Sequence, residues 1–378
     1  LKRYEELDSM RGIAALMVIF SHLALLTPNF PWVLGYTPLH FLWAGSEAVI
    51  FFFILSGFVL ALPFFNGKGR TYPEYITKRI IRIYFPYVVS LIVSFISYAI
   101  IYNGGVFEYT EWLSQKWNDP LSVDIVMDHL LLIGNFNTGE INPVVWSLSQ
   151  EMRISLIFPI IIVLIYRFNS PIMLGIGVVL SSLTGINYVF GFEETLGWRN
   201  SFFDTLNFTS MFIIGALLAK NRELLISSFQ RLNLKYKVIL FVIGFLSYTY
   251  SKSVQIIPVK FAIVVMDWGV ALGVSIFVVV ALSSKNISKI LKNKFLIFNG
   301  KISFSLYLYH FVVLAVVFHI FERTLPFGIM LLLSLLFMYI VAYLSWKYTE
   351  LPSITWGRKV NFSKFSGIKI KETENYHQ

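Results

Sequence analysis

The chain has no cysteine in its 378 residues. Disulfides, thiolate catalysis and cysteine-ligated metals are therefore excluded. Charge is sparse as well: Asp, Glu, Lys and Arg make up 14% of the residues, where an ordinary soluble domain carries about 25%. There is no HExxH helix, no GxxxxGK[ST] phosphate cradle and no GxSxG elbow. Zinc-hydrolase and nucleoside-triphosphate readings lose their support, and a serine hydrolase keeps only mechanisms built without that elbow. The six histidines have no metal-ligand spacing, so no metal is expected.

What is present is apolar: 56% of the residues are hydrophobic. A helix crossing a membrane needs about 20 mainly apolar residues at about 1.5 Å each. Windows of that kind fall at 10 to 27, 43 to 62, 82 to 102, 145 to 166, 171 to 190, 204 to 220, 237 to 251, 258 to 282, 302 to 321 and 327 to 346. The seventh is short. The fold class read from this pattern is an all-α polytopic membrane protein of about ten helices. The first window lacks a small-residue cleavage site and is read as a retained helix.

The net charge of +10 does not point to nucleic acid, because the cations sit in short segments between apolar runs. With the N-terminus inside, 25 of the 31 lysines and arginines fall on inner loops, inner helix ends or tails. Lys116, Arg153, Arg199, Lys252, Lys260 and Arg323 remain on the outer half. The positive-inside rule then expects both termini in the cytoplasm. Residues 353–378 read as a basic cytoplasmic tail, polar and flexible from Trp356 onward, behind a membrane domain of residues 1–352. The long connection 103–144 is amphipathic and aromatic-rich, suiting either an interfacial segment dipping into the protein or a solvated loop.

Ionisable groups inside the apolar windows are costly unless paired or facing a polar cavity. His22 follows Arg11 by about 16 Å of helix, which puts it near mid-membrane. It is a candidate for proton transfer, or else a neutral imidazole satisfied by a carbonyl. Asp8 lies one turn from Arg11, within reach of an ion pair, and Gly12 suits close approach of a helix or ligand. Lys78, Arg79 and Arg82 open the third window at helical spacing and can grip phosphate, whether of a ligand or of a lipid headgroup. Trp146 reads as an interface anchor of the fourth window. Glu151 and Arg153, two residues apart, face different ways, so Glu151 needs another partner: an imidazole, a sugar hydroxyl or water. Ser56 and Gly57 fit tight helix packing. Tyr307 and His310 interrupt the ninth window and add a second imidazole at the inner or middle depth of the bundle.

Taken in order, "LDSMRGIAALMVIFSH", "VIFFFILSGF", "YITKRIIRIYFP", "VVWSLSQEMRISLIFP", "ISFSLYLYHF" and "SWKYTELP" resemble the landmarks of the acyltransferase 3 family of membrane O-acyltransferases, over about residues 7 to 352. The resemblance implies a ten-helix core in the bacterial cytoplasmic (inner) membrane. It also implies an acyl group drawn from cytoplasmic acyl-coenzyme A and delivered to hydroxyls of cell-surface glycans. The family's arginine and histidine of the first helix land on Arg11 and His22, and its RxxR element on Arg79 and Arg82. Its WSL-x-x-E element lands on Trp146, Ser147 and Glu151, its YLxH element on Tyr307 and His310, and its E-x-P form on Glu350 and Pro352. Ser9 in place of glycine and the run Met152 to Ser155 depart from the family pattern, leaving the acceptor pocket outside what carries over. The appended SGNH esterase-like domain of some relatives is not expected.

The function implied is an O-acetyltransferase using acetyl-coenzyme A, with a glycan or lipid-linked saccharide as acceptor and membrane lipid as its surroundings. Arg79, Arg82 and Lys78 would hold the donor's phosphates. His22 would act as base or proton relay, Arg11 would organise the donor, and His310 or Tyr307 would orient. Glu151 would serve the acceptor or an imidazole. Three alternatives stay open: a small hydrophobic acceptor, a succinyl donor, and a transporter without catalysis. Oligomeric state is not legible.

Overall fold

In a computed structural model of the protein, residues 4–67, 71–102, 111–114, 116–117, 120–253 and 259–360 are described. Every regular element among them is helical. The first helices are α1 (Glu5–Leu26), α2 (Gly45–Phe65) and α3 (Tyr72–Ile101), followed by the short α4 (Glu111–Ser114) and α5 (Val123–Leu131). Next come α6 (Val145–Arg167), α7 (Ser170–Phe190), α8 (Phe202–Lys220), α9 (Arg222–Arg231) and α10 (Leu234–Tyr250). The last are α11 (Val259–Ser283), α12 (Lys285–Leu291), α13 (Lys294–Phe321), α14 (Phe327–Ser345) and α15 (Leu351–Lys359). A π-helical turn, Trp346–Glu350, joins the final two.

Polar residues punctuate the apolar runs where helix ends need partners. Asn169, Asn233, Ser284 and Asn293 each accept a backbone N–H at a helix start. Ser201 and Asp204 satisfy each other's backbone donors in a capping box. Among the described residues nine helices are long and apolar enough to cross a membrane. The expected seventh span is α10, with 17 residues, or about 26 Å of rise. On α14, Leu332, Leu336, Ile340 and Leu344 form an exposed apolar stripe at four-residue spacing. In water such a stripe would invite aggregation, whereas against hydrocarbon it is the expected surface.

The bundle is organised by close pairs, chiefly α2 on α8 and α1 on α13. A Cβ on Gly12 would come within 2.6 Å of the Gly300 nitrogen, and one on Gly300 within 2.2 Å of the Asp8 carbonyl oxygen. Gly12 thus admits a helix rather than a ligand. Gly57 plays the same part for α2 against Phe212. Gly300→Leu should force α1 and α13 apart, and little monodisperse protein should be recovered from detergent extracts. Recovery and melting temperature equal to wild type would contradict this contact.

The segment before α6 does not stay at the rim. Phe136, Ile141, Asn142, Val144 and Val145 are all buried, and the Asn142 amide donates to the Leu308 carbonyl at 2.9 Å. Leu113 and Trp117 are buried too, so these parts of the long connection dip into the protein, while Val123, Met127 and Leu131 of α5 stay exposed. Trp146 is consequently a core residue in ring contact with Phe53 and Phe208, not an interface anchor. Arg153 ties α6 to two loops. It donates to the carbonyls of Ile133, Gly134, Asn200 and Ser201 and to the Thr205 hydroxyl.

Arg199 anchors a second polar knot, pairing with Asp267 at 2.7 Å and Asp204 at 3.6 Å. Burial alone would depress its proton affinity, but the two carboxylates outweigh burial and hold it above the ordinary arginine range. Arg199→Ala should cost about 3–5 kcal/mol by leaving Asp267 buried with weaker compensation. A melting temperature unchanged from wild type would contradict that assignment.

At the chain's end the helix continues through Lys359. Trp356 meets Phe85 of α3, with ring centroids 5.1 Å apart, and Gly357 is buried. Residues 353–359 of the expected tail are therefore packed on the bundle, and 361–378 lie outside the described residues.

Candidate active site

Helix α1 begins at Glu5, five residues ahead of the first apolar window. Glu5, Glu6 and Asp8 suit the positive end of the helix dipole. Glu6 accepts from Ser288 and pairs with Lys292 at 3.0 Å, and Ser9 donates to the Leu291 carbonyl at 2.5 Å. The added turn changes the depths. Arg11 stands about 9 Å inside the helix start, and His22 lies about one turn from its other end rather than at its middle.

A cavity of about 250 Å³ opens beside Arg11. Five cations line it, Arg11, Arg79, Arg82, Lys301 and Arg358, against three carboxylates, Asp8, Glu151 and Glu350. Four sequence candidates, Arg11, Arg79, Arg82 and Glu151, thus converge here, and Tyr307 joins them. Lys78 does not; it pairs with Glu74, one turn earlier on α3.

The arginines differ in what holds them. Arg79 donates to Glu151 at 2.8 Å and to Ser155 at 2.9 Å. Glu151 also accepts from Ser56 at 3.3 Å, so its partner is a guanidinium and a hydroxyl, not an imidazole. The sequence missed this because α6 starts inside the bundle, which carries Glu151 down to the level of Arg79. Ser56 faces this cavity, while Gly57 alone serves the helix contact. Arg11 and Arg82 make no hydrogen bond or ion pair among the described residues, and the Asp8–Arg11 clamp does not form. A guanidinium at membrane depth costs about 3 kcal/mol. Two such groups, with no hydrogen-bond or ion-pair partner among the described residues, face one cavity.

Glu350 and Arg358 also line the cavity. Glu350 accepts from Ser305 at 3.0 Å from within the π-helical turn, a distortion common at functional positions. The E-x-P pattern marks Glu350 in the sequence. Arg358 has no such mark, since it lies in a stretch that reads as tail.

At the other side of Tyr307 the two imidazoles meet. His22 Nδ1 lies 2.7 Å from His310 Nε2, and His310 Nδ1 lies 2.7 Å from the Tyr307 carbonyl oxygen. A carbonyl only accepts, so His310 carries its proton on Nδ1. With both rings neutral, His310 Nε2 must accept and His22 Nδ1 must donate. His22 Nε2 is thereby left with a free lone pair. His310 is fully buried, while His22 is partly exposed and stacks on Trp112 at 5.0 Å. Neither imidazole lines the charged cavity. Tyr307 stands between, its hydroxyl 2.7 Å from Ser147 Oγ and 3.2 Å from the Val144 carbonyl. No group of metal-ligating side chains occurs among the described residues.

The profile of a family described as an acyltransferase domain matches residues 4–347. The chain belongs to the acyltransferase 3 family. Curated relatives include the O-acetyltransferase OatA of Staphylococcus aureus strain MRSA252, 23% identical over 97% of this chain and 59% of its own length. OatA of strain NCTC 8325 / PS 47 is also 23% identical, with the same coverages. The chain thus spans about three-fifths of the length of these relatives. No solved structure matches. Of the residues assigned by resemblance, Arg11, Arg79, Arg82, Ser147, Glu151, Tyr307 and Glu350 line the charged cavity, whereas His22, His310, Trp146 and Pro352 do not.

Proposed function

We propose that this protein transfers an acetyl group from cytoplasmic acetyl-coenzyme A to a hydroxyl of a cell-surface or lipid-linked glycan. In this reading the charged cavity faces the cytoplasm, with both termini on that side of the inner membrane. The observation that carries it is the pair of guanidiniums, Arg11 and Arg82, with no hydrogen-bond or ion-pair partner among the described residues, in a cavity whose wall includes Tyr307, next to the imidazole pair. Phosphates offer those guanidiniums charge-assisted hydrogen bonds. Arg79, already held by Glu151, shapes the pocket and adds its charge.

The chemistry assigned to His22 follows from its tautomer. An acceptor hydroxyl gives its proton to His22 Nε2 as its oxygen attacks the thioester carbonyl. The tetrahedral intermediate then collapses, breaking the carbon–sulfur bond. The proton passes from His22 to the departing thiolate, giving an ester and free coenzyme A. His310 fixes the ring that does this by accepting from Nδ1. Direct transfer is preferred over an acyl-histidine because it asks the imidazole only to move a proton.

Purified protein supplied with radiolabelled acetyl-coenzyme A and a glycan acceptor should release coenzyme A only when acceptor is present. A labelled adduct on His22, formed and consumed at the turnover rate, would reject direct transfer. Solute transport with no acyl transfer would reject the reading altogether. His310→Ala should lower kcat by about 10- to 100-fold, as when an imidazole loses the partner that orients it. His310→Gln should recover part of that loss, because an amide oxygen can accept from Nδ1. Equal losses in the two variants would contradict the positioning role.

A further inference from the structure

A thioester carbonyl attacked by a hydroxyl becomes an oxyanion, and that charge needs a hydrogen-bond donor already aimed at it. The charged cavity offers four side-chain hydroxyls, Ser56, Ser147, Ser303 and Tyr307. Two are committed: Ser56 donates to Glu151 at 3.3 Å, and Ser303 donates to the Gly300 carbonyl at 3.0 Å. The other two are bonded to each other. Ser147 Oγ, in the first turn of α6, lies 2.7 Å from the Tyr307 hydroxyl of α13.

Counting protons shows that this pair has one to lend. Two hydroxyls carry two protons. One makes the bond between them, and the other has only the Val144 carbonyl, 3.2 Å from Tyr307 and 3.3 Å from Ser147. Either hydroxyl can donate to its partner, and the long bond then falls to the other. An O–H···O bond is normally about 2.7–2.8 Å, so the second proton is loosely held in both arrangements. A charged oxygen in the cavity competes well for it, since hydrogen bonds to ionised acceptors are about twice as strong as neutral ones. Tyr307 also joins the pair to the imidazoles. Its ring centroid is 5.8 Å from that of His310, and its carbonyl oxygen fixes the tautomer of that ring.

We infer that Ser147 and Tyr307 together form the oxyanion donor for acyl transfer. The inference rests on the acetyl-transfer reading and gives Ser147 a catalytic role within it. The thioester carbonyl oxygen lies at the two hydroxyls, with its carbon toward His22. As the acceptor oxygen attacks that carbon, the carbonyl π pair moves onto the carbonyl oxygen, and the loosely held proton turns from Val144 to the oxyanion. The short bond between the hydroxyls persists and polarises the one that donates. When the intermediate collapses, the electron pair returns to the carbon–oxygen bond as the carbon–sulfur bond breaks, and the hydroxyl turns back to Val144. Neither hydroxyl gains or loses a proton over the cycle.

The test uses purified full-length protein and acetyl-coenzyme A carrying carbon-13 at the carbonyl, with Ser147→Ala, Tyr307→Phe and the double variant. Each single variant keeps one hydroxyl able to donate, so kcat should fall about 10-fold, and the double variant should lose about 10²-fold, as when an oxyanion donor is removed. The KM for acetyl-coenzyme A should stay within about twofold of wild type throughout. With donor bound and no acceptor present, the labelled carbonyl should absorb at a lower infrared frequency in wild type than in the double variant, a shift that a packing role would not produce. Should the double variant fail to fold, Ser147→Ala serves in its place and should show part of that shift. Wild-type kcat in the folded double variant, or one carbonyl frequency for wild type and variants alike, would overturn the donor assignment while leaving acetyl transfer standing. Failure of wild type to release coenzyme A with a glycan acceptor present would instead remove the acetyl-transfer reading, and the assignment with it.

Discussion

His22→Ala should lower kcat by about 10²- to 10⁴-fold while leaving the KM for acetyl-coenzyme A within about twofold of wild type. The split follows from the geometry. His22 lies about 16 Å of helix from Arg11, too far to touch the phosphates held there, and its free Nε2 faces away from its bond to His310. Its removal deletes the proton acceptor and nothing that grips the donor. Steady-state kinetics on protein of wild-type melting temperature will read both parameters. A KM that rises while kcat holds would move His22 from the chemistry to the binding of the donor. Normal turnover would remove it from the mechanism.

The second large effect is expected at Arg82. Arg82→Gln should raise the KM for acetyl-coenzyme A by about 10- to 100-fold, the equivalent of one or two charge-assisted hydrogen bonds at about 1.5–3 kcal/mol. Its kcat should change little, and the melting temperature should hold or rise, because Arg82 has no partner among the described residues to lose. Arg79→Gln is the instructive contrast. Arg79 neutralises Glu151, so its loss leaves a half-buried carboxylate with its bonded guanidinium gone, facing the four other cations only across the cavity. Both stability and activity should fall. Kinetic and thermal measurements on the two variants separate a ligand-gripping arginine from one that also holds the protein together. Identical behaviour of the two would contradict the distinction.

Much of this site could be read from the chain before its helices were assembled. Helical spacing put Arg79 and Arg82 on neighbouring positions of one helix, and the same rule kept Glu151 and Arg153 apart. They do face different partners, a guanidinium in one case and five loop and helix acceptors in the other. Apolar windows located most spans to within about five residues, because burial of backbone polar groups in hydrocarbon leaves few alternatives to a helix, but α3 and α13 begin ten and eight residues ahead of their windows. What the sequence withheld was depth and pairing across helices. Hydropathy marks where an apolar run begins, not whether that point lies at the membrane surface. Trp146 and Glu151 were therefore placed too near the rim, because the buried loop from Phe136 to Val145 has no periodic signature of its own. The first turn of α1 is polar, so the window started five residues late, and the helix itself puts His22 four residues from its far end. Arg358 was hidden by a basic tail-like composition, and only its packing behind the π-helical turn brings it to the cavity.

The His22–His310 contact was legible only as two imidazoles in one bundle. Their parallel helices, set close by Gly12 and Gly300, bring the rings to hydrogen-bond distance. The backbone carbonyl of Tyr307 then decides which nitrogen is free. That carbonyl is invisible to any motif, since every residue has one, and only the fold aims it.

Density for the purified protein bound to a non-reactive thioether analogue of acetyl-coenzyme A tests the central claim most directly. Phosphate oxygens should lie within hydrogen-bond distance of Arg82 and Arg11, and the analogue's acyl carbonyl should pass Tyr307 to end beside His22 Nε2. Phosphates seated away from the charged cavity, or an acyl group ending where no imidazole can reach it, would contradict it.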